Sequence, residues 1–355
     1  MSRTRSIAAI AIGTGLVGAG LLVVPAAEPA WRAFRAGDDA VAVADYRLGQ
    51  RSAADYAAEI ERALAGKDGK ADTDLASSLV ALADLRRVDL PPALRQRVDG
   101  AVATEGGQAP AQAWEGFIAG KATTEAALAG AVAADLTGFG DLRDLTVEAG
   151  NFISGDAVDE VKVALAAIGL TLTGATVMTL GSAAPAKVGA STVKAAHRLG
   201  RISAPLRRQL GVLAREAVDT GMLVDAAKSA ARLDIGAARA LAGRILRPGP
   251  ATAIRTLAAD IGTIGGKTGY RGTLTVLDKA RDAGEVSRLA RVADRFGKAT
   301  VGVLTMAGGA ALTFASIAAS VSLWLVMAVV WAISAVGFIA RLGLSLARRL
   351  RMATA

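Results

Sequence analysis

The 355 residues include no cysteine and one histidine, which excludes disulfides, thiolate chemistry, Cys-ligated metals and His-pair metal sites. Hydrophobic residues make up 52% and aromatics only 4%, with a mean hydropathy of +0.40, a mix that favours closely packed helices over β-sandwiches. The net charge of +9 is unevenly spread: residues 28–162 hold 14 Lys/Arg and 23 Asp/Glu, whereas 187–298 hold 21 and 9.

Residues 7–27 carry no charge and follow Arg3 and Arg5. At 1.5 Å per residue a helix of that length matches the roughly 30 Å hydrocarbon core, and the arginines place its start in the cytoplasm. The segment 1–27 is therefore expected to be a signal-anchor helix. A cleavable signal peptide is the rival, because Val24, Pro25 and Ala26 precede a plausible cut. Thr14 with Gly18 and Gly15 with Ala19 are small pairs at four-residue spacing, suited to close helix approach.

Residues 28–162 read as an acidic domain of short helices, expected in the periplasm. Ser52 is placed to cap a helix with Tyr56, Ile60 and Leu64 on one face. Leu75, Leu79, Leu82 and Leu85 follow the same period. Pro91 and Pro92 open a third helix along Leu94, Val98 and Val102. Gly66, Gly69, Gly106 and Gly107 punctuate.

Residues 163–186 are again uncharged, between Lys162 and Lys187. Asp156, Asp159 and Glu160 precede them; Lys187, Lys194, Arg198 and Arg201 follow. This sign change predicts a transmembrane helix ending in the cytoplasm. A buried hairpin broken near Gly181 is the alternative.

The block 187–298 reads as a basic helical domain, expected in the cytoplasm. Ser203 and Pro205 start a helix along Leu206, Leu210 and Leu213, and Pro248 and Pro250 mark a break. The run from Gly262 to Thr268 lacks the spacing of a phosphate loop, since Ile261 stands where the first glycine belongs, and reads as a flexible connector. His197, beside Arg198, reads as a surface or headgroup contact. Tyr270 and Phe296 are the only aromatics of the block, too few for nucleic-acid stacking. Near its end Val286, Leu289, Ala293 and Phe296 share one helix face, and Arg288, Arg291, Arg295 and Lys298 form a second stripe. Such a helix lies on anionic lipid headgroups or, alternatively, packs on protein with a solvated basic face.

Residues 299–340 hold no charge. They form either a transmembrane hairpin turning near Ser320, Val321 and Ser322, or one span at about 318–340 preceded by an apolar helix packed on protein. Ala307, Ala311, Ala315 and Ala319 make a small-residue stripe. The tail 341–355 is basic and expected in the cytoplasm; its Arg341, Arg348, Arg349 and Arg351 are further candidate contacts for anionic lipid.

Gly138, Phe139, Gly140, Asp141, Leu142, Arg143 and Asp144, then Ser154, Gly155 and Asp156 before a hydrophobic helix, resemble pre-toxin segments of bacterial polymorphic toxins. The continuation through Pro185, Ala186 and Lys187 to Lys194, Ala195 and Ala196 is similar to uncharacterised proteobacterial membrane proteins. The likeness covers about residues 138–200, lacks a following catalytic domain and carries over no functional residue.

The expectation is thus an all-α integral membrane protein with short helical bundles outside the bilayer. It has about four transmembrane helices, alternatively two, in the bacterial inner membrane, with both termini cytoplasmic. No catalytic constellation, metal site or cofactor motif is found, and nothing names a protein partner. A non-enzymatic envelope scaffold or interaction protein leads; a membrane-perturbing or pore-forming protein related to toxin systems is the alternative.

Overall fold

The computed structural model describes residues 2–37, 39–66, 70–105, 138–178, 184–225, 228, 235–308 and 317–353. Its helices are α1 (Ser2–Ala36), α2 (Ala40–Gly49), α3 (Ala53–Ala65), α4 (Thr73–Arg86), α5 (Pro92–Glu105), α6 (Phe139–Ser154), α7 (Glu160–Met178), α8 (Ala184–Arg198), α9 (Ala204–Ala217), α10 (Ile235–Ile245), α11 (Pro248–Lys279), α12 (Ala283–Phe296), α13 (Thr300–Met306) and α14 (Ala318–Ala353). No strand forms among the described residues. Two compact units divide the chain: Met1–Gln50 with Leu312–Ala355, and Arg51–Ala311.

In the Arg51–Ala311 unit α3, α4, α9 and α12 begin where a side chain accepts from an amide of the first turn. Ser52 and Asp55 form a reciprocal capping box on α3, and Asp72 caps α4 through the Leu75 amide at 3.0 Å. The predicted faces are recovered in part. Tyr56, Ile60, Leu79, Leu82, Leu94 and Val98 are buried, but Leu85 and Val102 are exposed. Ser78 ties α4 to the C-terminal part of the unit: its hydroxyl donates to Lys298 O at 2.7 Å and accepts from the Gly302 amide at 2.9 Å.

The core of this unit is α7. Val163 to Ile168 and Leu170 are at most 1% exposed, covered by α6, α8, α9 and α10. Of the stretch 163–186, the described residues belong to α7, to Met178, and to α8, from Ala184. Residues 179–183, with the hairpin break expected near Gly181, lie outside the described residues, as do Gly69, Gly106, Gly107, Ala311 and Ala315.

The expected flexible connector is corrected: residues 262–268 belong to α11, whose one non-helical residue is Gly269 at φ 73°. The glycines serve helix crossing instead. A Cβ on Gly262 would lie 1.8 Å from Pro185 O, and one on Gly189 1.7 Å from Ala258 O. Only hydrogen at these positions lets α8 and α11 lie backbone to backbone.

Residues 51–162 of the acidic block and the whole basic block 187–298 fall within the Arg51–Ala311 unit, whereas residues 28–50 fall in the other. Arg271 meets Asp74 at 3.1 Å across the two blocks. The Arg51–Ala311 unit holds 32 Lys/Arg and 28 Asp/Glu, a nearly balanced total. Within this unit the two signs also meet where Lys187 and Lys194 pair with Asp141.

The hairpin turn expected at Ser320 to Ser322 is absent, because those residues lie within α14. Of the alternative arrangement, the apolar helix packed on protein and one long helix after it are observed. Val301, Val303, Leu304 and Met306 of α13 are buried on protein, and α14 is a single long helix.

In the other unit α1 and α14 pack together as antiparallel neighbours. Gly13 faces the Phe338 ring and Gly20 the Trp331 ring, so residue numbers rise on one helix as they fall on the other. The less exposed positions of α1 include Gly13, Leu16, Gly20, Val23, Ala27 and Ala30. Those of α14 include Val321, Leu325, Ala328, Trp331, Ala335 and Phe338. Spacings of three and four on both helices make a seam of the coiled-coil type. A Cβ added at Gly15 or Gly18 would meet no heavy atom within 4 Å, so the small pairs expected to pack face open space.

Candidate functional site

Two features concentrate unusual chemistry, one in each unit. The first is a buried charge cluster on α6, α7 and α8. Asp141, Asp144 and Glu148 recur at intervals of three and four along α6, one stripe of a helix. Lys187, Lys194 and Arg198 recur at seven and four along α8, a matching stripe. Asp141 is 1% exposed and receives two ammonium groups: Lys187 Nζ at 3.0 Å and Lys194 Nζ at 2.6 Å. Lys194 also reaches Asp144 at 2.9 Å, and Arg198 closes on the same carboxylate.

Lys187 is saturated. It donates to Asp141, to Gly169 O at 2.9 Å and to Thr173 Oγ1, which accounts for all three of its hydrogens. Gly169 makes this geometry feasible, since a Cβ there would lie 2.3 Å from Asp141 Oδ2. Burial opposes ionisation of Asp144, yet Lys194 and Arg198 beside it hold its carboxyl below the ordinary carboxylate value.

A second group adjoins it. Glu148, 1% exposed, accepts from Lys162 Nζ at 2.5 Å, from the Asp159 amide at 2.9 Å and from Asn151 at 3.2 Å. Asp159 accepts the Lys162 amide at 3.0 Å and faces His197 Nε2 at 3.0 Å. Burial raises the Asp159 carboxyl, but the hydrogen bonds from His197 and the Lys162 amide outweigh it and leave the value lowered. His197 Nδ1 is buried without a partner, so the ring hydrogen of the neutral form sits on Nε2 toward Asp159.

Lys187, Lys194, Arg198 and Arg201 were expected to flank a membrane helix on its cytoplasmic side, and His197 to be a surface or headgroup contact; the structure pairs the first three with acids of α6, Arg201 with Asp278 and His197 with Asp159. The signal was present as two charge stripes of opposite sign at helical spacing. Sequence does not say that stripes 46 to 57 positions apart face each other. Chemically the cluster is a closed lock: its acids and bases neutralise one another and present no face to a substrate. Among the described residues no group of His, Asp and Glu is arranged to hold a metal ion.

The second feature is the α1–α14 pair. Trp331 Nε1 donates to Leu16 O at 2.8 Å, through the space that Gly20 leaves. An indole N–H left unpaired in an apolar medium costs several kcal/mol, so this bond matters most where no water is present. Away from the seam the helices expose large apolar side chains: Val17, Leu21 and Leu22 on α1; Leu323, Val326, Val329, Val330, Ile333, Val336 and Ile339 on α14. Ile12–Ala36 and Ala318–Leu344 are long and apolar enough to cross a membrane. Trp31 stacks on Phe34 with centroids 5.7 Å apart, Arg35 lies over the Trp31 ring, and Arg32 pairs with Glu28 at 3.5 Å.

The candidate lipid-contact residues divide between the units. Arg291, Arg295 and Lys298 are exposed and Arg288 is half-buried. The apolar face beneath them is already occupied, since Val286, Leu289, Ala293 and Phe296 are buried in the core. Packing on protein is therefore the arrangement observed for α12. Arg341 is exposed on α14, and Arg348, Arg349 and Arg351 continue the same helix.

No family model matches the chain, and no curated protein or solved structure is similar to it at a meaningful level.

Proposed function

We propose that the chain is a two-span protein of the bacterial inner membrane, a non-enzymatic envelope scaffold or interaction protein. In this reading α1 and α14 cross the bilayer and hold residues 51–311 on the periplasmic side. The observation that carries it is the antiparallel pair, with the Trp331 N–H bonded to Leu16 O inside its seam and bulky apolar side chains exposed outside it, where a soluble helix pair carries polar ones. Arg3 and Arg5 begin α1, and Arg341, Arg348, Arg349 and Arg351 end α14. An antiparallel pair brings these to one end, the cytoplasmic one by the positive-inside rule.

The closed charge cluster supports a structural role for the 138–200 region, which resembles pre-toxin segments. The four-span arrangement required α7 in the bilayer, and its burial against α6, α8, α9 and α10 favours two spans. The pairing also favours an uncleaved α1, because a cut near Ala26 would strip the seam from α14. Carbonate washing of membranes tests the proposal: the full chain is expected to stay in the pellet and leave only with detergent. Recovery in the carbonate supernatant would end it. Dye release from lipid vesicles by the purified chain would favour the membrane-perturbing alternative instead.

A further inference from the structure

The α1–α14 register leads to a lipid preference. Gly20 opposes Trp331 and Gly13 opposes Phe338, so paired positions sum to 351. Carried along two continuous helices, this sets residue 3 level with 348 and residue 5 level with 346. Six arginines, at positions 3, 5, 341, 348, 349 and 351, therefore collect at one end of one helix pair. Neither residues 1–27 nor residues 295–355 contain a single Asp or Glu. The opposite end differs: Arg32 is paired with Glu28 and Arg35 lies on the Trp31 ring, with Asp39 nearby in sequence.

We infer that this six-arginine end binds the phosphate groups of anionic phospholipids in one leaflet. The inference rests on the two-span reading. Within these segments the collar has no carboxylate to neutralise it, and the phosphodiester plane of the bilayer supplies the missing anions where the apolar stretches end. Juxtamembrane clusters of four to eight Lys/Arg gain about five-fold in affinity per residue at an anionic surface. Arg341 enters the uncharged zone by about 10 Å relative to Arg348 and reaches the phosphates by extending its methylene stem. The basic stripe of α12, in contrast, sits on a different unit and is not part of this end.

The test is reconstitution of the full chain into vesicles of phosphatidylglycerol and phosphatidylethanolamine, followed by native mass spectrometry of retained lipids. The unaltered chain is expected to retain phosphatidylglycerol in clear excess over its bulk fraction. The triple change Arg348→Gln, Arg349→Gln and Arg351→Gln should lower that enrichment at least five-fold, and Arg3→Gln with Arg5→Gln should lower it further. Arg32→Gln with Arg35→Gln should leave it unchanged. Equal retention of both lipids by the unaltered chain, or enrichment untouched by the triple change, would overturn the inference. So would loss of enrichment on adding millimolar inorganic phosphate, which would mark a site for the free anion. Carbonate washing of the same variants separates the outcomes: variants that remain in the membrane but lose enrichment fail only in lipid choice, whereas an unaltered chain that washes out removes the two-span reading itself.

Discussion

Asp141 accepts from two lysines of α8, one of which, Lys187, also donates to the α7 backbone at Gly169 O, almost without solvent. Removing one partner from such a buried set leaves uncompensated charge, at a cost of about 3–5 kcal/mol. Asp141→Asn is expected to lower the unfolding free energy by that amount, measured by chemical denaturation. Replacing Asp141, Lys187 and Lys194 together with Leu, Met and Met should regain most of it, because apolar substitutes remove the charges on both sides. A triple variant no more stable than the single one would show that the lock cannot be replaced by packing. The pH dependence has a definite sign. Asp144 and Asp159 have folded values below their unfolded ones, so their contribution is present above about pH 4 and is lost as pH falls through the lower folded values. The thermal midpoint should hold level near neutrality and drop in acid below pH 4. A midpoint that rises in acid would contradict the assignment. Little of this was legible beforehand. Asp141 and Asp144 stood out only as part of a short motif, and Lys187 and Lys194 were read as flanks, because pairing across 46 and 53 positions leaves no local trace.

Among the elements, α7 is the instructive case. An uncharged stretch of its length suits a bilayer and a protein core equally, and periodicity cannot separate them. Its small residues decide for the core, since Gly169 is needed to admit the Asp141 carboxylate. The individual helices of residues 51–105 were legible through Ser52, the prolines and the apolar spacing, because caps and amphipathic faces are local. Leu85 and Val102 lie on the predicted stripes yet are exposed, since a stripe does not state how far along the helix its neighbours extend. The glycines of α8 and α11 were read as looseness, although they permit tight contact. Gly262→Ala should cost about 1–3 kcal/mol or more, because Pro185 O would have to move. Gly100→Ala, with nothing within 4 Å of its Cβ position, should instead stabilise α5 by about 0.5–1 kcal/mol. Melting curves of the two variants check both directions; equal shifts would mean the crossing is not tight. In the terminal pair Gly20→Leu should separate α1 from α14 by displacing the Trp331 ring, seen as a changed tryptophan emission.

At the scale of the whole molecule, the two ends of the chain form one unit and the long middle another. The signs of the two polar blocks suggested a membrane between them, but opposite charge also describes two halves that attract. Only the folded contacts, Asp141 to Lys187 and Lys194 and Asp74 to Arg271, separate these cases. The two long apolar helices at the ends were legible because length and lack of charge are read directly from the sequence.

The absence of native cysteine makes the decisive measurement simple. Single changes Asp156→Cys and Lys279→Cys place one thiol on each polar block at exposed positions, and Ser2→Cys places one at the first residue of α1. Two spans predict that a membrane-impermeant maleimide added outside spheroplasts labels the first two alike and spares the third. Labelling of Asp156→Cys without Lys279→Cys would set the blocks on opposite sides of the membrane and contradict the single folded body.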